Sequence, residues 1–301
     1  MAKKSKRNTP KPDSNRAEKL AERRAAREEA SSTVVRPFRG LAAECDLVAM
    51  REFVPTATAP LTSKSADRAL TIATVLPGAV AALVRSEDDA PTGYVAVQVQ
   101  AEPGDPAVGL GWSAQWASTA EPGESLSFAP DDATSPTLAD IVDADAPLDI
   151  TVHKNFDWWI PAGVTPDPEV AATVERANQA IMPSARLDGL SAAWWVDAGD
   201  KAHLRWVRPE DEDDLMLALA RLHAAGDLNL GEGSRFAGSF RTHGLLVPVF
   251  DLDNERHATE WLTPATEFGD KLQNALAVDR PLTSDERRSR DGIRSRQVTL
   301  R

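Results

Sequence analysis

The chain has 301 residues, of which 42 % are hydrophobic and 27 % charged, the composition of a folded globular protein rather than a disordered one. No run of about 18 apolar residues occurs, which excludes a transmembrane helix. The single cysteine, Cys45, excludes an intramolecular disulfide framework and any multi-cysteine zinc site.

Charge is unevenly placed. The whole chain carries −12, yet residues 1–30 hold ten basic and five acidic side chains, which leaves −17 on residues 31–301. Residues 1–33 are expected to form a disordered basic arm, with Lys3, Lys4, Lys6, Arg7, Lys11, Arg23, Arg24 and Arg27 as its main cations. The arm has no apolar core of a secretory signal and is too rich in Glu for a mitochondrial presequence. Its second half contains strong helix formers but only one large apolar residue, Leu20, so any helix there is polar all round and transient. Two readings fit the arm: an electrostatic tether for nucleic acid or a ribosome surface, or a solubilising tail.

Residues 34–128 read as a first α+β subdomain. A helix over 42–53 stops before Pro55, because the residue preceding a proline is pushed out of the helical region. Strands follow over 70–76 and 79–85, separated by Pro77-Gly78, and over 94–100. Asp105 caps a helix that runs to about residue 120, with Pro106 in its first turn. Residues 129–150, rich in Asp, Ala, Thr and Pro, read as a linker holding a short helix over 137–142.

Residues 151–280 read as a second α+β subdomain. Segments 150–152 and 157–160 look extended, and Pro166-Asp167 opens a helix over 169–181. A hairpin over 192–196 and 203–207 turns at Asp197-Ala198-Gly199-Asp200. Acids crowd the first turn of the next helix, which carries Leu215, Leu217, Leu219 and Leu222 and stops at Gly226. Strands over 235–240 and 245–252 and a helix over 263–276 complete this half, and residues 281–301 are expected to be a second disordered basic tail. Both halves read α-β-β-α-β. The expected fold is therefore α+β, with two similar subdomains related by an internal repeat, each an antiparallel sheet with helices on one side.

Several stretches carry a resemblance. Phe38-Arg39-Gly40-Leu41, Met50-Arg51-Glu52-Phe53-Val54-Pro55, His223-Ala224-Ala225-Gly226 and His243-Gly244-Leu245-Leu246-Val247-Pro248-Val249 together resemble an actinobacterial family catalogued as a domain of unknown function. The resemblance covers about residues 35 to 280 and leaves out both ends. It implies no activity. Members of that family sometimes carry labels borrowed from the preprotein translocase motor, but this sequence has no Gly-x-x-x-x-Gly-Lys-Ser/Thr loop to hold ATP.

Gly109-Leu110-Gly111-Trp112-Ser113-Ala114 matches a dinucleotide pattern, but it does not directly follow a strand, so the pyrophosphate has no helix N-terminus to meet; no cofactor is expected. Gly231-Glu232-Gly233-Ser234-Arg235 leads into a strand and reads as a hairpin loop. No Gly-x-Ser-x-Gly elbow and no His-Glu-x-x-His pattern occurs, and no metal site or catalytic residue is assigned. Cys45 lies between Glu44 and Asp46, whose charges raise rather than lower a thiol pKa. His153 and Asp157, with His243, Asp251 and Asp253, form a candidate polar site.

The tryptophans say more. Eight occur against one tyrosine, and two pairs are adjacent, Trp158-Trp159 and Trp194-Trp195. In a strand, neighbours point to opposite faces, so each pair is expected to put one indole on each side of its sheet. The pairs either fill the core or mark a contact surface for a partner. The leading expectation is a cytoplasmic, non-enzymatic binding or adaptor protein that holds a protein partner, with no membrane association. A nucleic-acid- or ribosome-associated protein tethered by its basic termini is the first alternative, and an enzyme of unrecognised type the second.

Overall fold

The computed structural model describes residues 36–64, 68–87, 90–101, 104–130 and 135–299. The basic arm expected over residues 1–33 lies outside the described residues.

Helix α1 (Glu44–Glu52) has the sequence Glu-Cys-Asp-Leu-Val-Ala-Met-Arg-Glu, and every side chain from Glu44 to Met50 is buried. A helix buried on all sides belongs in an interior. Here it joins one apolar cluster with Leu70, Ile72, Val95 and Val97 from one sheet and Trp194, Val207, Leu245 and Val247 from the other. Its carboxylates reach the same way: Asp46 meets Arg186 at 2.8 Å, and Glu52 meets His243 at 2.8 Å. Glu44 is held by Arg36 at 2.6 Å, at the start of the described chain.

Sheet 1 consists of β1 (Ala57–Leu61), β2 (Ala69–Val75), β3 (Ala82–Glu87), β4 (Ala90–Gln98), β5 (Ser125–Leu126) and β6 (Thr151–Val152) in the order β5-β3-β4-β2-β1-β6. Its neighbours are antiparallel except β2 and β4: β3 crosses to the far side, and β4 returns into the slot beside β2 in the same sense. Helix α2 (Pro106–Thr119) covers the same face as α1. Asp105 accepts from the Ala107 N–H at 2.9 Å and Pro106 opens the first turn, as expected from the sequence. Short helix α3 (Leu138–Ile141) packs on α2. Gly111 permits this approach: a Cβ there would lie 2.2 Å from the Pro136 carbonyl oxygen. The segment read as a linker thus supplies Leu138, Val142 and Leu148 to the central cluster.

Helix α4 (Pro168–Gln179), capped by Asp167, leads into sheet 2. That sheet comprises β7 (Ser184–Arg186), β8 (Ala193–Asp197), β9 (Ala202–Trp206), β10 (Ser234–Thr242), β11 (Leu245–Leu252) and β12 (Gln297–Thr299) in the order β12-β10-β11-β9-β8-β7. Only β10 and β12 run parallel among its pairs. Helices α5 (Glu212–Ala225), α6 (Leu262–Leu276) and α7 (Ser284–Arg294) cover one face, where Trp195, Leu204, Trp206 and Phe250 meet Leu215, Leu219, Phe268 and Leu272. Gly226 ends α5 in the left-handed conformation at φ 80°.

The α+β class and the two helix-faced sheets agree with the sequence reading. The strictly antiparallel expectation is corrected by one parallel pair in each sheet. The C-terminal segment also departs from its expectation as a loose tail. Thr283 and Glu286 form a reciprocal capping box, Leu282 and Ile293 are buried, and β12 extends sheet 2. Several of its cations are paired within the chain: Arg280 meets Glu286 at 2.6 Å, Arg294 meets Asp213 at 3.0 Å, and Arg288 pairs with Asp285.

A third correction concerns residues 157–160. Asp157–Trp159 is a 3₁₀ turn rather than a strand. Asparagine side chains take over the backbone there: the Phe156 N–H donates to Asn178 Oδ1 at 2.7 Å and the Asp157 N–H to Asn155 Oδ1 at 3.2 Å. Trp158 and Trp159 therefore do not straddle a sheet.

Candidate functional site

Alternation along the strands of sheet 1 divides its residues between two faces. Leu70, Ile72, Val95 and Val97 face α1 and α2, whereas Ala73, Tyr94 and Ala96 belong to a separate small cluster on the face without helices. Register aligns Pro60 with Thr71 and Thr71 with Tyr94 in one row, and Thr58 with both Ala73 and Thr151 in the next. These rows form the floor of a solvent-open groove of about 300 Å³, walled by His153 and Trp158.

The turn carrying the tryptophan pair is pinned to this face. The Trp158 indole N–H donates to Thr56 Oγ1 at 2.9 Å, and that of Trp159 donates to the Val75 carbonyl at 3.1 Å. Trp158 stacks between Tyr94, with centroids 6.5 Å apart, and His153, at 5.3 Å. Arg85 lies over the Tyr94 ring at 5.0 Å and donates to the Trp158 carbonyl at 3.0 Å. His153 Nε2 shares a hydrogen bond of 2.8 Å with Thr58 Oγ1. Burial pushes the His153 pKa down, so the ring is neutral near pH 7. A hydroxyl beside an imidazole is the first pair of a nucleophilic triad, but no acid lines the groove to orient the second ring nitrogen.

The sequence-derived candidates are distributed as follows. His153 and Trp158 come together in the groove. Asp157 turns to Asn155 and Asn178, at 2.7 and 3.2 Å. His243 faces Glu52 across the α1–sheet 2 contact; the charge and hydrogen bond of His243 hold the Glu52 carboxyl below its ordinary range although burial opposes them. Asp251 is shared by Lys201 at 2.8 Å, Arg235 at 2.7 Å and His203 at 3.3 Å. Asp253 accepts from the Glu255 N–H at 3.0 Å. The five polar candidates therefore do not converge. Trp194 and Trp195 do point to opposite faces, and both are interior, one in each of the two large clusters. The Cys45 thiol is pushed up to about 12, first by burial and then by Glu44 and Asp46. Gly109 and Gly111 lie within α2. Among the described residues no group of three His, Cys, Asp or Glu is placed to hold a metal, and no helix is long and apolar enough to cross a membrane.

Thr58, Thr71 and Tyr94 escaped the sequence reading, as did His203 and Glu52. The first three are unremarkable alone and acquire meaning only through register across three strands. His203 was legible as the alternate neighbour of Arg205, but its partner Asp251 comes from another hairpin.

A model of a family of unknown function matches residues 37–301. The chain belongs to DUF5926. No curated protein and no solved structure matches it. The DUF5926 match includes α7 and β12, beyond the end of the resemblance read from the sequence, which fits their packing into sheet 2.

Proposed function

We propose that this protein is a non-enzymatic binding module, an adaptor of the cytoplasm, whose open face of sheet 1 receives an uncharged, extended segment of a protein partner. One observation carries the reading: the groove is lined by aromatic rings, a proline and threonine hydroxyls, with no charged side chain, on a chain of net charge −12. Rigid rings provide contact area at little entropic cost, and hydroxyls answer the peptide groups of a segment lying across them. Such a lining offers nothing to phosphates, whose recognition needs Lys or Arg.

The alternative is a nucleic-acid or ribosome tether through the basic ends. The in-chain pairing of Arg280, Arg288 and Arg294 weakens that reading at the C-terminus. Duplication of the scaffold belongs to the favoured reading. In its support, each sheet sets two hairpins side by side with a short strand at each edge; the different strand sense at the centre, parallel for β2–β4 and antiparallel for β9–β11, counts against it.

Affinity purification with the full chain and with Trp158→Ala, followed by titration of a synthetic peptide from the captured protein, tests the proposal. The peptide should bind the full chain and a chain lacking residues 1–33 equally, with little salt dependence, and bind Trp158→Ala about tenfold or more weakly. Equal binding to a folded Trp158→Ala chain, or binding that vanishes with residues 1–33 and falls steeply with salt, would refute it.

A further inference from the structure

A second site emerges on sheet 2, independent of the groove. Strand β9 sends Leu204 and Trp206 into the helix-covered core, so His203 and Arg205 occupy the opposite face, on the side of α1. Several other arginines of the described residues are matched. Arg36, Arg186, Arg208 and Arg241 hold carboxylates, and Arg221 donates to the carbonyls of Ala275 and Arg280. Arg205 is half-buried and lies over the Phe53 ring at 5.5 Å, yet among the described residues it has neither a hydrogen-bond acceptor nor an acid within ion-pair distance. Its cross-strand neighbours are Trp194 and Val249, both apolar. The one carboxylate in the adjacent row, Asp251, is already shared by Lys201, Arg235 and His203.

Partial burial of a cation without a counter-charge is unfavourable, and stacking on an aromatic ring offsets only part of the cost. Stacking also fixes the plane of the guanidinium and leaves its N–H edge free for bidentate acceptance. We propose that Arg205, with His203 beside it, forms an oxyanion site on the α1-facing side of sheet 2 that takes one phosphate or carboxylate group. Burial depresses the Arg205 pKa with no acid to oppose it, and a bound anion supplies the missing partner.

The test uses the full chain, melted in low-millimolar inorganic phosphate or acetate against chloride at equal ionic strength, below the range in which phosphate stabilises by exclusion. Wild type should melt higher in phosphate, in acetate or in both, and the larger shift identifies the group. Arg205→Met, which keeps the stacked stem, should lose the shift, whereas Lys201→Met, which removes a cation already paired with Asp251, should keep it. Identical melting of wild type in all three anions, or a shift that survives in Arg205→Met, would overturn the proposal. If Arg205→Met does not fold, calorimetry on Arg205→Lys decides. The lysine lacks the planar fork and should bind the anion about tenfold more weakly; unchanged affinity would overturn the site.

Discussion

Removing Arg186 tests how α1 is held. Asp46 is 7 % exposed in its side chain and Arg186 27 %, and their closest atoms are 2.8 Å apart. At an effective dielectric of 20, two unit charges at that distance attract by about 6 kcal/mol, most of which offsets the desolvation of both groups. Arg186→Ala removes the attraction and leaves the desolvated carboxylate, so a loss of about 3–5 kcal/mol at pH 7 is expected by urea unfolding. The loss also has a pH signature. Burial raises the Asp46 pKa in the folded chain against the pull of Arg186. A carboxyl whose folded pKa exceeds its unfolded value favours folding below the unfolded pKa, about 3.9, and this is lost as pH rises through the folded pKa. Without Arg186 the folded pKa rises further. The deficit should therefore be greatest at neutral pH and shrink on acidification, and Asp46→Asn in the same background should recover part of it. A variant within about 0.5 kcal/mol of wild type, or a deficit independent of pH, would refute the reasoning.

Three further outcomes are expected. Gly111→Ala places a Cβ against the backbone of Pro136 and Thr137 and should cost about 1–3 kcal/mol or more in thermal unfolding, a loss that a cofactor loop exposed to solvent would not show. Glu286 is held at about 2 by Arg280, by the Thr283 N–H and by the Thr283 hydroxyl. Its folded pKa lies below the unfolded value, so its stabilisation of α7 is present above about pH 4.5 and lost as pH falls towards 2; hydrogen exchange should show α7 opening early in that window, and Glu286→Gln should remove the pH dependence. Cys45, buried with its thiol near 12, should resist iodoacetamide in the native chain and react fully in denaturant.

Elements with local chemical punctuation were legible in the sequence. Asp105-Pro106 marks the start of α2, Asp167 caps α4, and Gly226 stops α5, because caps and stops act within a turn of the chain. Strand β1 went unread: Ala57–Leu61 is small-residued and contains Pro60, tolerated because β6 pairs only with Ala57 and Thr58 on that side. Helix α7 was missed although its signal was present. Thr283-Ser284-Asp285-Glu286 is a capping box, outweighed in the reading by the density of arginine. The groove was half legible. Trp158 and His153 stand out by residue type, but Thr71 and Tyr94 come from strands whose adjacency depends on β4 inserting beside β2, which no local pattern encodes.

The placement of α1 has a consequence for biosynthesis. The ribosome delivers this greasy helix together with the strands that form one of its walls, which follow it closely in the chain. Leu245 and Val247, which belong to the other wall, emerge only after the whole of sheet 1 and strands β7 to β10 have been synthesised. Throughout that interval a nascent chain exposes part of its future interior, so chaperone dependence during synthesis, rather than fragility of the finished molecule, is where a destabilised variant should first betray itself.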